Sequence, residues 1–450
     1  MKDLTQGPIS GHLFRMAAPI AAGMFFQTMY FLVDLYFVAR LGDTSIAGVG
    51  AAGNVSFIIM ALTQVLGVGT VTLIAQAVGR KDYADANLAF NQSLSLAGLC
   101  MVFTIVAGYG LSRLYMERLG ADAATIAAGI EYLYWYLPGL ALQFGMVAMA
   151  SALRGTGIAM PGMFVQMLTV LLNAVLAPIL IAGWLTGHPL GVAGAGLAST
   201  ISIAVGVVAL IGYFIRLEKT VAFDAALVRP QLAAWKRILS IGLPAGGEFA
   251  LMFVYLGVVY WVIRSFGSTA QAGFGIGMRV MQAIFLPAMA ISFATAPIAG
   301  QNVGAGLHAR VRETFRVALL FGSVLMLALT LMCQWQPEWF VHGFTSDPAV
   351  LAVAAQYLHI ISWNFVASGI VFSCSGIFQA LGNTLPALFS SATRLLTFAI
   401  PAAILAAHGG FELRQLWLLS VASVTVQALT SLVLLKIQFA RKFGPLPARA

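Results

Sequence analysis

Residues 19–50 read PIAAGMFFQTMYFLVDLYFVARLGDTSIAGVG. This stretch predicts a long apolar helix that carries one carboxylate, Asp34, and then a short turn into a second helix. Gly23, Gln27, Tyr30 and Asp34 follow one another at intervals of four, three and four, so they share one face of the first helix. An unpaired polar group in hydrocarbon costs several kcal/mol. We therefore expect this face to line a protein interior or a wet cavity.

The rest of the chain has the same character. Its 450 residues are 60% hydrophobic and 9% charged, and 46 of them are glycine. A water-soluble domain of this size does not have such a composition. A membrane-spanning helix needs about 20 apolar residues, and the apolar segments predict an all-α integral membrane protein with twelve spans. The predicted spans are residues 10–39, 46–77, 84–115, 123–153, 159–184, 190–216, 235–264, 271–302, 311–334, 348–381, 385–408 and 412–440.

Basic residues in the turns and towards the ends of the spans are concentrated on one predicted side of the membrane. Seventeen lie at the amino terminus, in the even-numbered turns or in the tail, and five lie on the other side. This bias predicts a multi-pass protein of the bacterial inner (plasma) membrane with both termini in the cytoplasm. It also accounts for the net charge of +9, so we expect no nucleic-acid partner. Cysteines and histidines have no metal-ligand spacing, so we expect no metal and no other cofactor.

The two halves of the chain repeat each other at an offset of 225 residues. Matching pairs are Pro19 with Pro244, Tyr30 with Tyr255, Gly42 with Gly267, Gln76 with Gln301, Gly157 with Gly382 and Pro161 with Pro386. The register holds for more than a hundred residues, which predicts two six-helix lobes related by an axis along the membrane normal. We predict a first lobe at 1–216, a cytoplasmic linker at 217–234, and a second lobe with a short cytoplasmic tail at 235–450.

Several stretches resemble the multidrug and toxic compound extrusion (MATE) family. They are VDLYFVARLGDTSIAGVG, TLIAQAVGRKDYADA, LRGTGIAMP, GVAGAGLASTIS and TAPIAGQNVGAG. The resemblance lies in their order and twofold repetition, and it covers nearly the whole chain. It implies an antiporter, not an enzyme, that exports organic cations or amphiphilic compounds in exchange for protons or sodium ions. It also implies alternation between inward-open and outward-open V shapes. We expect a monomer in the lipid bilayer.

Asp34 is the leading candidate for the coupling residue, because its repeat partner is Val259 and the fold therefore does not require an acid there. A structural carboxylate bonded to neighbouring helices is the alternative. In the family that the chain resembles, this aspartate is paired with an asparagine, and Asn173 matches that position. Ser199 matches a hydroxyl position near the same site. The alternative for Ser199 is a packing role in a glycine-rich helix. Ala177 stands where the family has a second aspartate. A sodium site at Asp34 and Asn173 is thereby weakened, so we expect a proton.

Other polar side chains are predicted to line the cavity. On the fifth span, Gln166 and Thr169 share a face with the asparagine of the coupling site at intervals of three and four. Gln27 and Tyr30 lie on the face of the coupling aspartate. Tyr255 is the repeat partner of Tyr30. These side chains would contact a small cationic or amphiphilic substrate.

The second lobe carries three ionisable residues at depth, Glu248, Arg279 and Arg394, each of which is a functional candidate. Glu248 lies on the stripe equivalent to that of Asp34 but near the other end of its helix, so we expect the two acids at different depths. A functional role for Glu248 and a structural ion pair with Arg279 one helix away both remain open. Arg394 has the same structural alternative, in which it pairs with carbonyl groups or with Glu248.

Two other functions compete with multidrug export. A flippase for lipid-linked precursors, from the same superfamily, would need several cations to hold a pyrophosphate, and only Arg279 and Arg394 are available. A membrane-embedded enzyme would need a paired acid, a nucleophile or a metal cluster at depth, and the sequence has none of these. We therefore predict a proton-coupled efflux antiporter, with sodium as the second choice of ion.

Overall fold

The computed structural model describes residues 2–120, 122–185, 187–407 and 410–444, with Phe31 and Leu35 described by their backbone alone. Every regular element in these ranges is a helix, and twelve helical segments are long and apolar enough to cross a membrane. The predicted all-α, twelve-span fold is therefore confirmed. The predicted end of the eleventh span, at residue 408, and the tail beyond 444 lie outside the described residues.

The first half of the chain forms seven α-helices. They are α1 (Ile9–Val38), α2 (Asp43–Gly53), α3 (Val55–Gly79), α4 (Tyr83–Leu119), α5 (Ala123–Gly155), α6 (Met160–Ala182) and α7 (Gly191–Arg216). The second half also forms seven: α8 (Leu232–Ile263), α9 (Ser268–Gly304), α10 (His308–Trp335), α11 (Pro348–Ile361), α12 (Asn364–Leu381), α13 (Leu385–Ala406) and α14 (Leu413–Phe443). Most helix ends lie within a few residues of the predicted span ends.

Two predicted spans are each interrupted by one tightened turn. In the second span, the Asn54 N–H bonds the carbonyl of Ala51 at 3.4 Å, three residues back instead of four. In the tenth, the Trp363 N–H bonds the carbonyl of Ile360 at 3.4 Å in the same way. Such turns tighten the backbone locally while the chain keeps its course. The spans 46–77 and 348–381 are therefore each built from two helices, α2 with α3 and α11 with α12.

The described chain divides into two compact units. Unit 1 is centred on α5, which packs against α2, α3, α4 and α7. Unit 2 is centred on α9 and α12, which pack against each other and against α10. Helices α1 and α8 belong to both units: Leu4–Ala18 is grouped with unit 2, and α8 is grouped with unit 1 as far as Gly242. The change of unit comes next to a proline in both helices, Pro19 and Pro244, where the missing N–H interrupts the helical ladder.

The polar linker is bound to unit 1 through two buried amides of α4. Gln92 donates to the carbonyls of Leu227 and Arg229 at 2.5 and 2.7 Å and accepts from the Gln231 N–H at 2.9 Å. Asn91 donates to the carbonyl of Ala222 at 2.9 Å and accepts from the Asp224 N–H at 2.9 Å. The predicted linker, 217–234, is therefore part of unit 1.

The start of α8 lies against α3 at very short range. A Cβ built on Gly242 would lie 2.0 Å from the carbonyl oxygen of Val65, and one on Gly69 would lie 2.5 Å from that of Ile238. Only glycine allows two helix backbones to come this close. The glycines therefore hold the first turns of α8 against α3 within unit 1.

Candidate functional site

A cluster of buried polar side chains surrounds Asp34, four residues before the end of α1. Asn173 on α6 and Ser199 on α7 are fully buried, and Asp34 itself is 8% exposed. The Asn173 amide nitrogen lies 3.4 Å from the Ser199 hydroxyl. Asn173, Ser199 and Tyr132 of α5 lie next to the Asp34 carboxylate. We call these four residues the Asp34 cluster.

The cluster contains two buried acceptors that lack donors. Neither Oδ1 of Asp34 nor Oδ1 of Asn173 has a hydrogen-bond partner within the described part of the chain. An unsatisfied acceptor in a dry interior costs about 1–3 kcal/mol, so the arrangement favours the arrival of a proton or a cation. Ala177, one turn beyond Asn173, is fully buried and adds no oxygen ligand.

Of the predicted cavity-lining residues, the structure places some in the cluster and some outside it. Tyr30 is buried one turn before Asp34 and lies beside Ser199 and Asn173. Thr169 is buried, but its hydroxyl donates to the carbonyl of Gln166 at 2.8 Å and is occupied there. The Gln166 side chain is half-buried and Gln27 is exposed. Neither glutamine side chain forms a hydrogen bond with the cluster among the described residues, whereas the aspartate, asparagine, serine and tyrosine come together.

Tyr132 was not singled out from the sequence. It lies in the aromatic run EYLYWY of α5, where a tyrosine on an apolar helix is hard to distinguish from a core residue. Its ring centroid is 4.9 Å from that of Tyr136, whose hydroxyl lies 3.2 Å from that of Ser56. The repeat contains a signal that points to it, because its partner at the 225-residue offset, Tyr357, is also tyrosine.

The predicted ion pair between Glu248 and Arg279 is wrong. Glu248 accepts a hydrogen bond from the Ser375 hydroxyl at 3.2 Å and forms no ion pair among the described residues. Arg279 is exposed and opens onto a cleft of about 320 Å³ that is otherwise lined by apolar side chains. The ion pair does not form because of the orientation of the side chains around the axis of α9. Gly277 and Val280 lie on the buried face of this helix, and Arg279 projects from a different face.

Arg394 and Tyr255 meet in unit 2. The guanidinium carbon of Arg394 lies 4.2 Å from the centroid of the Tyr255 ring, a cation–π contact. The Tyr255 hydroxyl lies 2.8 Å from that of Ser420 on α14. Arg394 therefore does not pair with Glu248, which lies seven residues, or about 10 Å, before Tyr255 along α8.

The two acids occupy different positions along equivalent helices. Asp34 precedes the end of α1 by four residues and Glu248 precedes the end of α8 by fifteen, which correspond to about 6 Å and 22 Å of helix. This agrees with the expected difference in depth. The structure thus assigns the two acids to different environments, one among amide and hydroxyl groups and one beside a single serine.

The fold and these clusters define a class of protein. Twelve spans arranged as two tandem repeats, with a few ionisable groups buried at depth, are the architecture of a secondary transporter. In the described ranges, no group of three histidine, cysteine, aspartate or glutamate residues is placed to hold a metal ion.

The particular family follows from comparison with known proteins. Residues 19–179 and residues 244–405 each match the MatE family. The second match begins 225 residues after the first, which is the offset of the repeat. The chain belongs to the MATE family of multidrug efflux transporters, whose members export small molecules across membranes that they span many times.

Relatives of known description have comparable length. “Probable multidrug resistance protein YpnP” of Bacillus subtilis (strain 168) is 28% identical over 392 residues, 86% of each chain. The FAD transporter of Shewanella oneidensis is 25% identical over 416 residues, 91% of each chain. A solved outward-facing structure of a multidrug resistance MATE family transporter matches with a TM-score of 0.90 at 25% identity, over 98% of both chains. Each comparison therefore involves nearly the whole protein.

Proposed function

We propose that this protein is a plasma-membrane antiporter that exports cationic or amphiphilic small molecules in exchange for protons, with Asp34 as the coupling residue. The observation that carries the proposal is the pair of donor-less buried acceptors, Oδ1 of Asp34 and Oδ1 of Asn173. A proton on the carboxyl group provides the missing donor and removes a buried charge. We further propose that both termini are cytoplasmic and that the protein works as a monomer.

Exchange follows from competition for one carboxylate. The protonated form of Asp34 is neutral and hydrogen-bonded to its neighbours, so it is the form that a dry site favours. A cationic substrate nearby favours the ionised form, because it offsets the negative charge. Binding of cargo thereby releases the proton, and arrival of a proton releases the cargo. The hydroxyl of Tyr132 and the amide of Asn173 hold the carboxylate in place in both states.

A proton fits this cluster better than a sodium ion. A hard cation needs several oxygen ligands, and the cluster offers one carboxylate, one amide oxygen and hydroxyl groups. The position one turn beyond Asn173, from which a further carboxylate could reach the ion, holds buried Ala177. The cargo need not be a simple cation, since a relative of this chain is a FAD transporter.

Transport by purified protein in proteoliposomes tests the proposal. We expect Asp34→Asn to abolish export of a cationic dye driven by a proton gradient, because the amide cannot exchange a proton. Asp43→Asn is the matched control: it makes the same chemical change at an exposed residue just beyond the same helix, and it should export at the parental rate. Tyr132→Phe should slow export without abolishing it.

Two outcomes would contradict the proposal. Parental rates in Asp34→Asn would show that this carboxylate does not couple transport. Export that requires sodium and does not depend on the pH gradient would show that protons are not the coupling ion, even if Asp34 is the coupling residue. Both are read from the same preparation, with a sodium gradient and a proton gradient imposed separately.

A further inference from the structure

Unit 2 contains a second polar cluster, which is built around a cation. Its members are Arg394 on α13, Tyr255 on α8, Ser420 on α14 and Asn364 at the start of α12. Arg394 lies over the Tyr255 ring, the Tyr255 hydroxyl bonds Ser420, and the Asn364 amide nitrogen lies 3.4 Å from the Ser420 hydroxyl. Four helices thus bring their polar side chains to one place. We call these residues the Arg394 cluster.

The cation at the centre of this cluster has no counter-charge. Unit 2 has five carboxylates in the described chain: Glu248, Glu313, Glu338, Asp347 and Glu412. None of them forms an ion pair with Arg394, and no hydrogen bond from the guanidinium is found among the described residues. Its Nε is buried without a partner. The cation–π contact uses the face of the guanidinium and leaves the Nε–H, which lies in its plane, without an acceptor among the described residues.

Two further buried polar groups without a partner in the described ranges lie on the helices of this cluster, one on α14 and one at the start of α12. Trp417 precedes Ser420 by one turn of α14, is 1% exposed, and has an indole N–H with no acceptor in the described chain. Asn364 is 3% exposed, and its Oδ1 has no donor there. Buried polar groups in proteins are nearly always paired. A purely structural cluster would have satisfied these groups internally.

The repeat shows that the charge is specific to unit 2. The partner of Arg394 in unit 1 is Thr169, whose hydroxyl is satisfied by its own helix. The partner of Asp34 in unit 2 is buried Val259. Both units keep the tyrosine, Tyr30 in one and Tyr255 in the other. At these two pairs of equivalent positions, unit 1 therefore carries a carboxylate and unit 2 carries a guanidinium.

We propose that the Arg394 cluster binds the oxyanion of a transported aromatic amphiphile, with a carboxylate as the simplest case. The guanidinium N–H groups donate to the oxyanion, as charge-assisted donors do for carboxylates and phosphates. The partly exposed side chain of Arg394 lets a ligand reach it. This inference rests on the proposed function for its cargo, but it adds zwitterionic and anionic compounds to the substrates.

Equilibrium binding of two dyes to the detergent-solubilised full-length protein tests the proposal. Rhodamine 110 carries a free carboxylate, and rhodamine 123 is its methyl ester, so the pair differs only in the group of interest. Fluorescence anisotropy measures both dissociation constants without any need for transport. We expect Arg394→Gln to weaken binding of rhodamine 110 about tenfold or more and to leave rhodamine 123 unchanged. Arg394→Lys, which keeps the charge and loses the planar fork, should give a smaller loss and also serves if the glutamine variant does not fold.

Arg264→Gln is the matched control. Arg264 also makes a cation–π contact, with Trp261 at 5.7 Å, but it is exposed. Its loss should change neither dissociation constant. Equal weakening of both dyes in Arg394→Gln, or a parental protein that binds the carboxylate dye no more tightly than its ester, would overturn the proposal. Displacement of rhodamine 110 by phosphatidylglycerol and not by phosphatidylcholine would overturn the assignment to cargo, since a lipid headgroup would then be the ligand.

These outcomes are separate from the failure of the proposed function. A protein that exports neither dye in proteoliposomes, while keeping the Arg394-dependent difference in binding, would refute antiport and retain the oxyanion site. Coupled export of rhodamine 123 without any effect of Arg394 on either dye would do the reverse.

Discussion

The position of α8 depends on a helix contact that Gly242→Ala is expected to break. The Cβ of an alanine would lie 2.0 Å from the carbonyl oxygen of Val65, and ordinary contact begins at 3.4 Å. The two backbones must therefore separate by about 1.4 Å. The oxygen belongs to a helix backbone and cannot swing aside like the end of a flexible side chain.

The expected cost is that of overpacking, about 1–3 kcal/mol. For a unit of roughly 220 residues this corresponds to an apparent melting temperature lower by roughly 2–12 °C. Gly257→Ala is the matched control, because Gly257 lies on the same helix with no atom within 4 Å of the added Cβ. There the change removes a flexible residue from a helix and should leave stability unchanged or raise it by up to about 1 kcal/mol.

Thermal unfolding of the two purified variants in the same detergent measures this difference. Intrinsic fluorescence and retention of a monodisperse elution profile after heating provide independent readouts. If Gly242→Ala melted at the same temperature as Gly257→Ala, α8 would not be held against α3 by this contact. The assignment of the first turns of α8 to unit 1 would then lose its physical basis.

Two further predictions concern unit boundaries and coupling. Gln92→Ala removes three hydrogen bonds to the linker backbone, which together contribute roughly 1.5–4.5 kcal/mol. We therefore expect faster tryptic cleavage between residues 217 and 231. An unchanged cleavage rate would contradict the docking of the linker on α4. Glu248→Gln keeps an acceptor for the Ser375 hydroxyl and removes a buried charge without an ion partner, so stability should hold and dye-induced proton release in detergent should persist. Release that is lost in Glu248→Gln and kept in Asp34→Asn would make unit 2 the coupling unit.

Much of the fold is predictable because it depends on long apolar runs and on a repeat. A run of twenty or more apolar residues in lipid must form a helix, because only a helix satisfies its own backbone hydrogen bonds there. Most predicted span ends therefore lie within a few residues of the observed helix ends. The breaks at Asn54 and Trp363 are not predictable in this way. Each depends on one hydrogen bond that closes over three residues instead of four. Gly53 precedes the first break, but Gly67 and Gly69 lie inside the unbroken α3, so a glycine does not mark a break; no glycine or proline adjoins the second.

The candidate sites are predictable where a helical face carries the information. Asp34 and Tyr30 share a face of α1, and the structure brings them together with Asn173 and Ser199. Predictions that depend on the rotation of a helix about its axis fare worse. Arg279 is only one helix away from Glu248 in the chain order, yet its side chain opens onto the apolar cleft and does not pair with the carboxylate.

The candidate functional residues are found where the two halves of the repeat carry different residues at equivalent positions. A duplicated scaffold conserves the residues that set helix packing and turns, such as the prolines next to the unit boundaries. Chemistry at equivalent positions is free to diverge, because a buried charge affects its own surroundings far more than it affects the fold. At the 225-residue offset, the position equivalent to Asp34 is Val259, and the position equivalent to Arg394 is Thr169. A buried unpaired charge destabilises the protein that carries it. In the two proposals above, a proton compensates the charge of Asp34 and an oxyanion compensates the charge of Arg394.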